Sequence, residues 1–326
     1  MPKRELIVTT ESWAYREPFT ITGYTFTASD LVYVRLREDG AAGHGEAAGV
    51  YYLDETPGSM VAQLEGVRAA IEAGASREAL QALLPPGGAR NALDCALWDL
   101  EAKMSGRSIW ALTGIEPGPT QTVLTIGIGS PEAMGAAATA IDSPRIKVKL
   151  SAERPVERVA AVRAARPDAE IVVDVNQGWT FEQLGSFAPA LADLGVAMIE
   201  QPLPRGGDAE LESFTSPVPL CADESCLSAA EFDVAAQRYR VVNIKLDKCG
   251  GLTEALEIAR LAEARGIDAM VGNMMGTSLS TAAEFVVAQR CRFVDLDGAT
   301  FLASDREPAM LIRHGVISPP EPALWG

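Results

Sequence analysis

Apolar and polar positions change rhythm twice along the chain. From Lys3 to about Ala47 they alternate as strands do, and Leu31-Val32-Tyr33-Val34-Arg35-Leu36 is a β-rich run closed by a turn at Glu38-Asp39-Gly40. Ahead of it, the polar, aromatic-tipped stretch Thr22-Gly23-Tyr24-Thr25-Phe26-Thr27 is expected to be a loop. From Gly58 to about Ser105 the period becomes helical, most clearly over Ala89 to Lys103, where Ala92, Leu93, Ala96, Leu97 and Leu100 recur on one face. Beyond about Thr120, short apolar runs alternate with helical segments. The predicted strands are Val123–Ile128, Arg145–Leu150, Glu170–Asn176, Ala197–Gln201, Pro219–Ala222, Val241–Leu246, Asp268–Gly272 and Arg292–Leu296. Eight such strands with helices between them predict a closed parallel α/β barrel in preference to an open sheet. The last stretch, with Pro308, Pro319, Pro320 and Pro322, is expected to be an extended tail that packs back on the rest. The expected division is an α+β unit over 1–118, joined by the tail 302–326, and a barrel over 119–301.

Composition narrows the function classes. The 326 residues are 48% hydrophobic and 22% charged, a globular balance. No apolar run is long enough to span a bilayer, and the start of the chain lacks the apolar core of a secretion signal, so no membrane partner is expected. A net charge of −16 would repel phosphate backbones, which argues against nucleic acid. Five cysteines without framework spacing fit a reducing cytoplasm. Only two histidines occur, His44 and His314, in no ligand pattern, so a histidine triad or zinc site is not expected. The oligomeric state is not fixed by the sequence, and a homo-oligomer stays open.

In a β/α barrel the chemistry gathers where the strands end. The second strand ends in Lys147-Val148-Lys149, the third in Asp174-Val175-Asn176, the fourth in Glu200-Gln201-Pro202 and the fifth in Asp223-Glu224-Ser225. The sixth carries Lys245-Leu246-Asp247 and the eighth Asp295-Leu296-Asp297. Each piece alone is an ordinary cap, turn or solvated charge; one per strand, in order, is a site. Asp174, Glu200 and Asp223 form an all-oxygen set suited to Mg²⁺. Alternation points Lys147 and Lys149 inward together, and likewise Lys245 and Asp247. Lysines on opposite sides of a metal are expected to lower one another's pKa and to act as bases toward an α-proton, with an enediolate held by the metal. Lys248-Cys249-Gly250-Gly251 lacks phosphate-loop spacing and is expected to be a simple βα turn.

These motifs, together with Asn91-Ala92-Leu93-Asp94-Cys95-Ala96-Leu97-Trp98-Asp99-Leu100, resemble the enolase superfamily over essentially the whole chain, in its muconate-lactonizing subgroup and nearest the dipeptide epimerases. The resemblance implies a modified (β/α)₇β barrel with an α+β cap. It implies Mg²⁺ on Asp174, Glu200 and Asp223, acid/base roles for Lys149 and Lys245, and support from Lys147, Asn176 and Asp247. It also implies that Asp295 and Asp297 receive the α-ammonium of a dipeptide whose C-terminal α-carbon is inverted. One departure bears on specificity. Such enzymes acting on Ala-Glu often hold the glutamate with an arginine in the first cap loop, and here neither that loop nor Gly49–Glu55 has a basic residue. Tyr24, Phe26, Tyr51 and Tyr52, with Met274 and Met275 at strand seven, are the expected substrate contacts, and a hydrophobic or aromatic C-terminal residue the expected substrate, with L-Ala-D/L-Glu the alternative. An N-acyl amino acid racemase or o-succinylbenzoate synthase on the same machinery is the competing enzyme; a catalytically inactive metal-binding relative is the competing non-enzyme.

Overall fold

The alternating N-terminal segment forms an antiparallel sheet of β1 (Glu5–Ile21), β2 (Tyr24–Glu38) and β3 (Ala41–Ala47). The structure, a computed structural model, describes residues 4–21 and 23–326; Lys3 and Thr22 lie outside them. The expected loop at 22–27 is a correction. Phe19, Thr20 and Ile21 pair with Phe26, Thr25 and Tyr24, so β1 and β2 form one long hairpin. Threonines and aromatics favour strands, and Gly23 at φ +81° supplies the left-handed position that a two-residue turn requires.

The helix Gly88–Ser105 joins the two halves of the molecule. Ala92, Leu93, Ala96, Leu97 and Leu100 pack on the sheet with Val32, Val34 and Leu36, whereas Cys95 and Trp98 pack into the core around the barrel. The sheet presses closely on this helix: a Cβ at Gly43 or Gly45 would stand 2.1 Å from the Ala96 or Ala92 carbonyl oxygen. Glycine at both positions is therefore a packing requirement.

The barrel consists of β5 (Leu124–Ile126), β6 (Arg145–Lys149), β7 (Glu170–Asp174), β8 (Val196–Glu200), β9 (Leu220–Ala222), β10 (Val241–Ile244), β11 (Asp268–Gly272) and β12 (Phe293–Asp295), all parallel and in sequential order; the short β4 (Thr120–Gln121) precedes it. The ring is drawn together where Val123 N–H donates to the Val294 carbonyl at 2.9 Å, and the parallel barrel expected from the strand pattern is present. In the C-terminal tail β13 (Ile312–Arg313) and β14 (Val316–Ile317) extend β4. The tail then returns to the joining helix, where the buried Trp325 donates from Nε1 to the His44 and Cys95 carbonyls, both at 3.1 Å. Among the described residues no helix is long and apolar enough to cross a membrane.

Candidate active site

Alternation along the strands builds the site in two layers. Inside the barrel lies an apolar layer that includes Val172, Met198, Cys221, Val241 and Phe293. Two residues further along each strand, one pleat nearer the mouth, the inward position is Asp174, Glu200, Asp223, Asn243 and Asp295. All are buried, as are Lys147 and Lys149 on β6 and Lys245 just past β10. Buried charges need partners, and here acids and lysines interlock. Lys147 Nζ lies 2.6 Å from Asp295, 2.7 Å from Glu200 and 2.9 Å from Asp174. Lys149 Nζ donates to Asp174 at 2.6 Å and to Asn176 Oδ1 at 3.2 Å, and Lys245 Nζ to Asp223 at 2.7 Å.

The expected lowering of the lysines rests on a bound metal; among the protein's own charges, and despite burial, the carboxylates win. Asp174, Asp295 and Glu200 hold the Lys147 ammonium well above the usual lysine range, and Asp223 and Glu200 do the same for Lys245. In return, Lys147 and Lys149 keep Asp174 ionised against the cost of burial, and Lys245 and Lys248 do so for Asp223. Glu200 differs: burial, then the Asp174 charge, push it up to about 7. Among the described residues no acidic, histidine or cysteine triplet stands as a finished cation cage, because the oxygens turn toward lysines. The donor set nevertheless suits a hard cation. Three carboxylates end adjacent strands, and the buried Glu200 Oε2 lies 2.7 Å from Lys147 Nζ yet makes no hydrogen bond.

Several residues that the motifs did not reveal hold this layer in place. Lys248, read from sequence as part of a turn, reaches back to Asp223 Oδ1 at 2.7 Å and to the carbonyls of Asp223, Asn243 and Cys226 at 2.6, 2.9 and 3.1 Å. Asn243 Nδ2 donates to Glu200 Oε1 at 2.7 Å. The Gln201 carboxamide oxygen accepts from Asp223 N–H at 2.8 Å and Ser225 N–H at 3.0 Å, so one motif orients the next. Gly272 leaves room for Lys245, whose Cε would lie 3.1 Å from a Cβ there. Glu224 is buried with Oε2 unpaired; burial, then the Asp223 charge, raise it to about 8. Strand alternation could have found Asn243; nothing in the sequence marks Lys248.

Asp247 is a second correction. β10 ends at Ile244 and Leu246–Cys249 is a helical turn, so Asp247 does not continue the inward face of Lys245. It accepts instead from Gly49 N–H at 2.8 Å, tying the barrel to the cap loop before Tyr51. Burial raises its carboxyl to about 7. Between roughly pH 4 and 7 the folded state thus binds more protons here than the unfolded chain, and this contribution to stability declines as pH rises. Asp247→Asn is expected to gain on the parent protein by on the order of 3 kcal/mol between pH 5 and pH 8, measured by denaturant unfolding. An equal pH slope in both proteins would contradict it.

Above the polar layer a cavity of about 250 Å³ separates barrel from cap. Lys147, Lys149, Lys245, Asn176, Asp295 and Asp297 form its floor; Phe26 and Tyr51 close it from the cap, and Met274 and Met275 from β11. Asp297 accepts from Thr125 N–H at 2.7 Å, and burial, then the Asp295 charge, raise it to about 7. Tyr24 and Tyr52 pack behind Tyr51, with ring centroids 4.6 and 5.1 Å from it, and are not part of the cavity lining. Met275 sits at φ +66°, held by Ser29 Oγ on its carbonyl at 2.7 Å and Asn273 Oδ1 on its N–H at 2.9 Å. Among the described residues the cavity lining contains no arginine and no histidine.

Known proteins share this fold and family. Residues 3–114 match the family described as "Mandelate racemase / muconate lactonizing enzyme, N-terminal domain", and residues 132–322 match "Enolase C-terminal domain-like". The L-Ala-D/L-Glu epimerase of Escherichia coli (strain K12) is 43% identical over 96% of this chain and 98% of its own. An enolase family member from Agrobacterium tumefaciens with homology to dipeptide epimerases, solved with sodium and L-Ala-L-Glu, superposes with a TM-score of 0.96 at 41% identity, covering 99% of this chain and 100% of its own. A dipeptide epimerase from Enterococcus faecalis V583, complexed with Mg and L-Leu-L-Tyr, superposes at 0.91 with 27% identity, covering 98% of each chain. Matched over both the cap and the barrel, the chain belongs to the enolase superfamily, in its mandelate racemase/muconate lactonizing enzyme family.

Proposed function

We propose that this protein is a Mg²⁺-dependent dipeptide epimerase that inverts the α-carbon of the C-terminal residue, with a hydrophobic or aromatic side chain preferred there. The observation that carries it is two lysines and the Asp295/Asp297 pair on one cavity floor, with Lys149 and Lys245 each paired to a member, Asp174 and Asp223, of a three-carboxylate set buried beneath that floor. Lys149 and Lys245 are the acid/base pair. They end strands separated by β7, β8 and β9, so they approach a substrate carbon from different sides. Asp295 and Asp297, across the mouth from Glu200, receive the α-ammonium; an acylated nitrogen would give them no charge to pair. Asp174, Glu200 and Asp223 would hold Mg²⁺. Bound there, the ion supplies positive charge that stabilises the substrate carboxylate and offsets the three acids that otherwise hold the lysine protons.

Specificity follows from the wall. Phe26 and Tyr51, 5.3 Å apart, stand over the lysines where a C-terminal side chain would lie. Among the described residues the cavity is lined by no arginine to accept a glutamate side chain, its only cations being the floor lysines. Burying an unpaired carboxylate there is costly. The five cysteines are free thiols, which supports a cytoplasmic location. The test is chiral chromatography of L-Ala-L-X dipeptides incubated with enzyme, with Mg²⁺ and after chelation. Inversion should favour Phe, Tyr or Leu over Glu at X, vanish on chelation and return with Mg²⁺. Preference for Glu would overturn the specificity, and undiminished turnover after chelation would overturn the metal.

A further inference from the structure

The cavity roof carries one charge with no role in the account so far. Phe26, Ala28 and Asp30 alternate along β2 on one face, and all three line the cavity. The other charged groups of the lining have partners. Glu55 accepts from Val50 N–H at 2.9 Å and from Gly88 N–H at 3.0 Å, Asp295 faces Lys147, and Asp297 accepts from Thr125 N–H. Among the described residues Asp30 makes no ion pair or side-chain hydrogen bond, and no arginine lines the cavity to offset it.

Position determines which end of a dipeptide Asp30 would meet. Its neighbour Ser29 is fastened to the Met275 carbonyl past the end of β11, and Asn273 there donates to the Asp295 carbonyl at 2.7 Å. Asp30 therefore overhangs the Asp295/Asp297 side of the mouth. Tyr51 lies on the other side, in the fields of Lys245 and Asp223. The wall around Asp30 is apolar and aromatic: Tyr15, Phe19 and Phe301 line the same cavity, the two phenylalanine rings 4.6 Å apart. Burial, and after it the Asp30 charge, push the Tyr15 phenol up to about 12, so it stays neutral. Aromatic faces and an unpaired carboxylate together suit a long apolar stem with a cationic tip.

We propose that Asp30, with Tyr15, Phe19 and Phe301, forms a subsite for a cationic side chain, lysine- or arginine-like, on the N-terminal residue of the substrate. This rests on the dipeptide reading above. It assigns the two residues of the substrate to different walls: apolar for the C-terminal side chain, acidic and aromatic for the N-terminal one.

The test compares kcat/KM for L-Lys-L-Phe, L-Arg-L-Phe, L-Ala-L-Phe and L-Glu-L-Phe in the parent protein, D30N and D30K. The parent should favour Lys and Arg over Glu. D30N should lower the Lys-to-Ala ratio by roughly two- to fivefold, the scale of an exposed ion pair, mainly through KM. D30K should turn the Lys-to-Glu preference over. Turnover indifferent to the N-terminal charge, or a ratio that neither variant moves, overturns this subsite and leaves the epimerase reading standing. No turnover of any dipeptide by the parent protein overturns both.

Discussion

Replacing Lys149 or Lys245 with alanine is expected to lower epimerisation by about 10²–10⁴-fold, the usual range for a positioned acid or base, with the two variants failing on opposite diastereomers. Inversion at a carbon needs a proton removed on one face and returned on the other. Lys149 closes β6, and Lys245 follows β10, four strands further round the barrel. Each variant keeps one lysine, so each should still exchange the α-proton of one diastereomer with solvent while inverting neither. Proton NMR in D₂O on both diastereomers of one dipeptide separates the outcomes. Loss of exchange on the same diastereomer in both variants would mean that the two lysines do not serve opposite faces.

Lys248→Met is expected to be strongly destabilising, at about 2–4 kcal/mol, because the buried Asp223 loses one of its two ammonium partners and keeps only Lys245. Lys248 and Asp223 are both buried; the ammonium spends its hydrogen bonds on Asp223 Oδ1 and three carbonyls. Methionine has similar bulk but donates nothing, so the loss reports the charge more than a cavity. Urea unfolding without added metal measures it. Mg²⁺ should narrow the gap between variant and parent, since Asp223 then gains another positive partner. A loss below about 1 kcal/mol, the level of an exposed ion pair, would show that Asp223 does not depend on Lys248.

What could be read from the sequence was what has a period. A strand buried on both faces with a polar residue at its mouth writes itself as a short apolar run ending in a charge. The strands expected at Arg145–Leu150 and Glu170–Asn176 emerged from the pattern in that form and are observed as Arg145–Lys149 and Glu170–Asp174. The hairpin tip did not, because Thr, Gly and exposed aromatics serve a loop and a strand edge equally well; only the pairing of Phe19 with Phe26 decides. Asp247 was misplaced because alternation was carried past Ile244, where the backbone turns helical. The carboxylate partners of the lysines were not legible for a different reason. Spacing showed that Lys147 and Lys149 face the same way as three acids, but not that one ammonium lies within 3 Å of carboxylates from β7, β8 and β12. Through-space pairing between distant strands has no local signature, and Lys248 escaped on the same ground.

The most direct measurement is deuterium uptake by the parent protein with Mg²⁺ in D₂O, read by mass across a library of L,L-dipeptides and N-acyl amino acids. A single deuterium at the C-terminal α-carbon of dipeptides, greatest with hydrophobic or aromatic residues there, is the predicted result. Exchange confined to N-acyl amino acids, or no exchange at all, would contradict the assignment of Asp295 and Asp297 to a substrate ammonium and with it the epimerase reading.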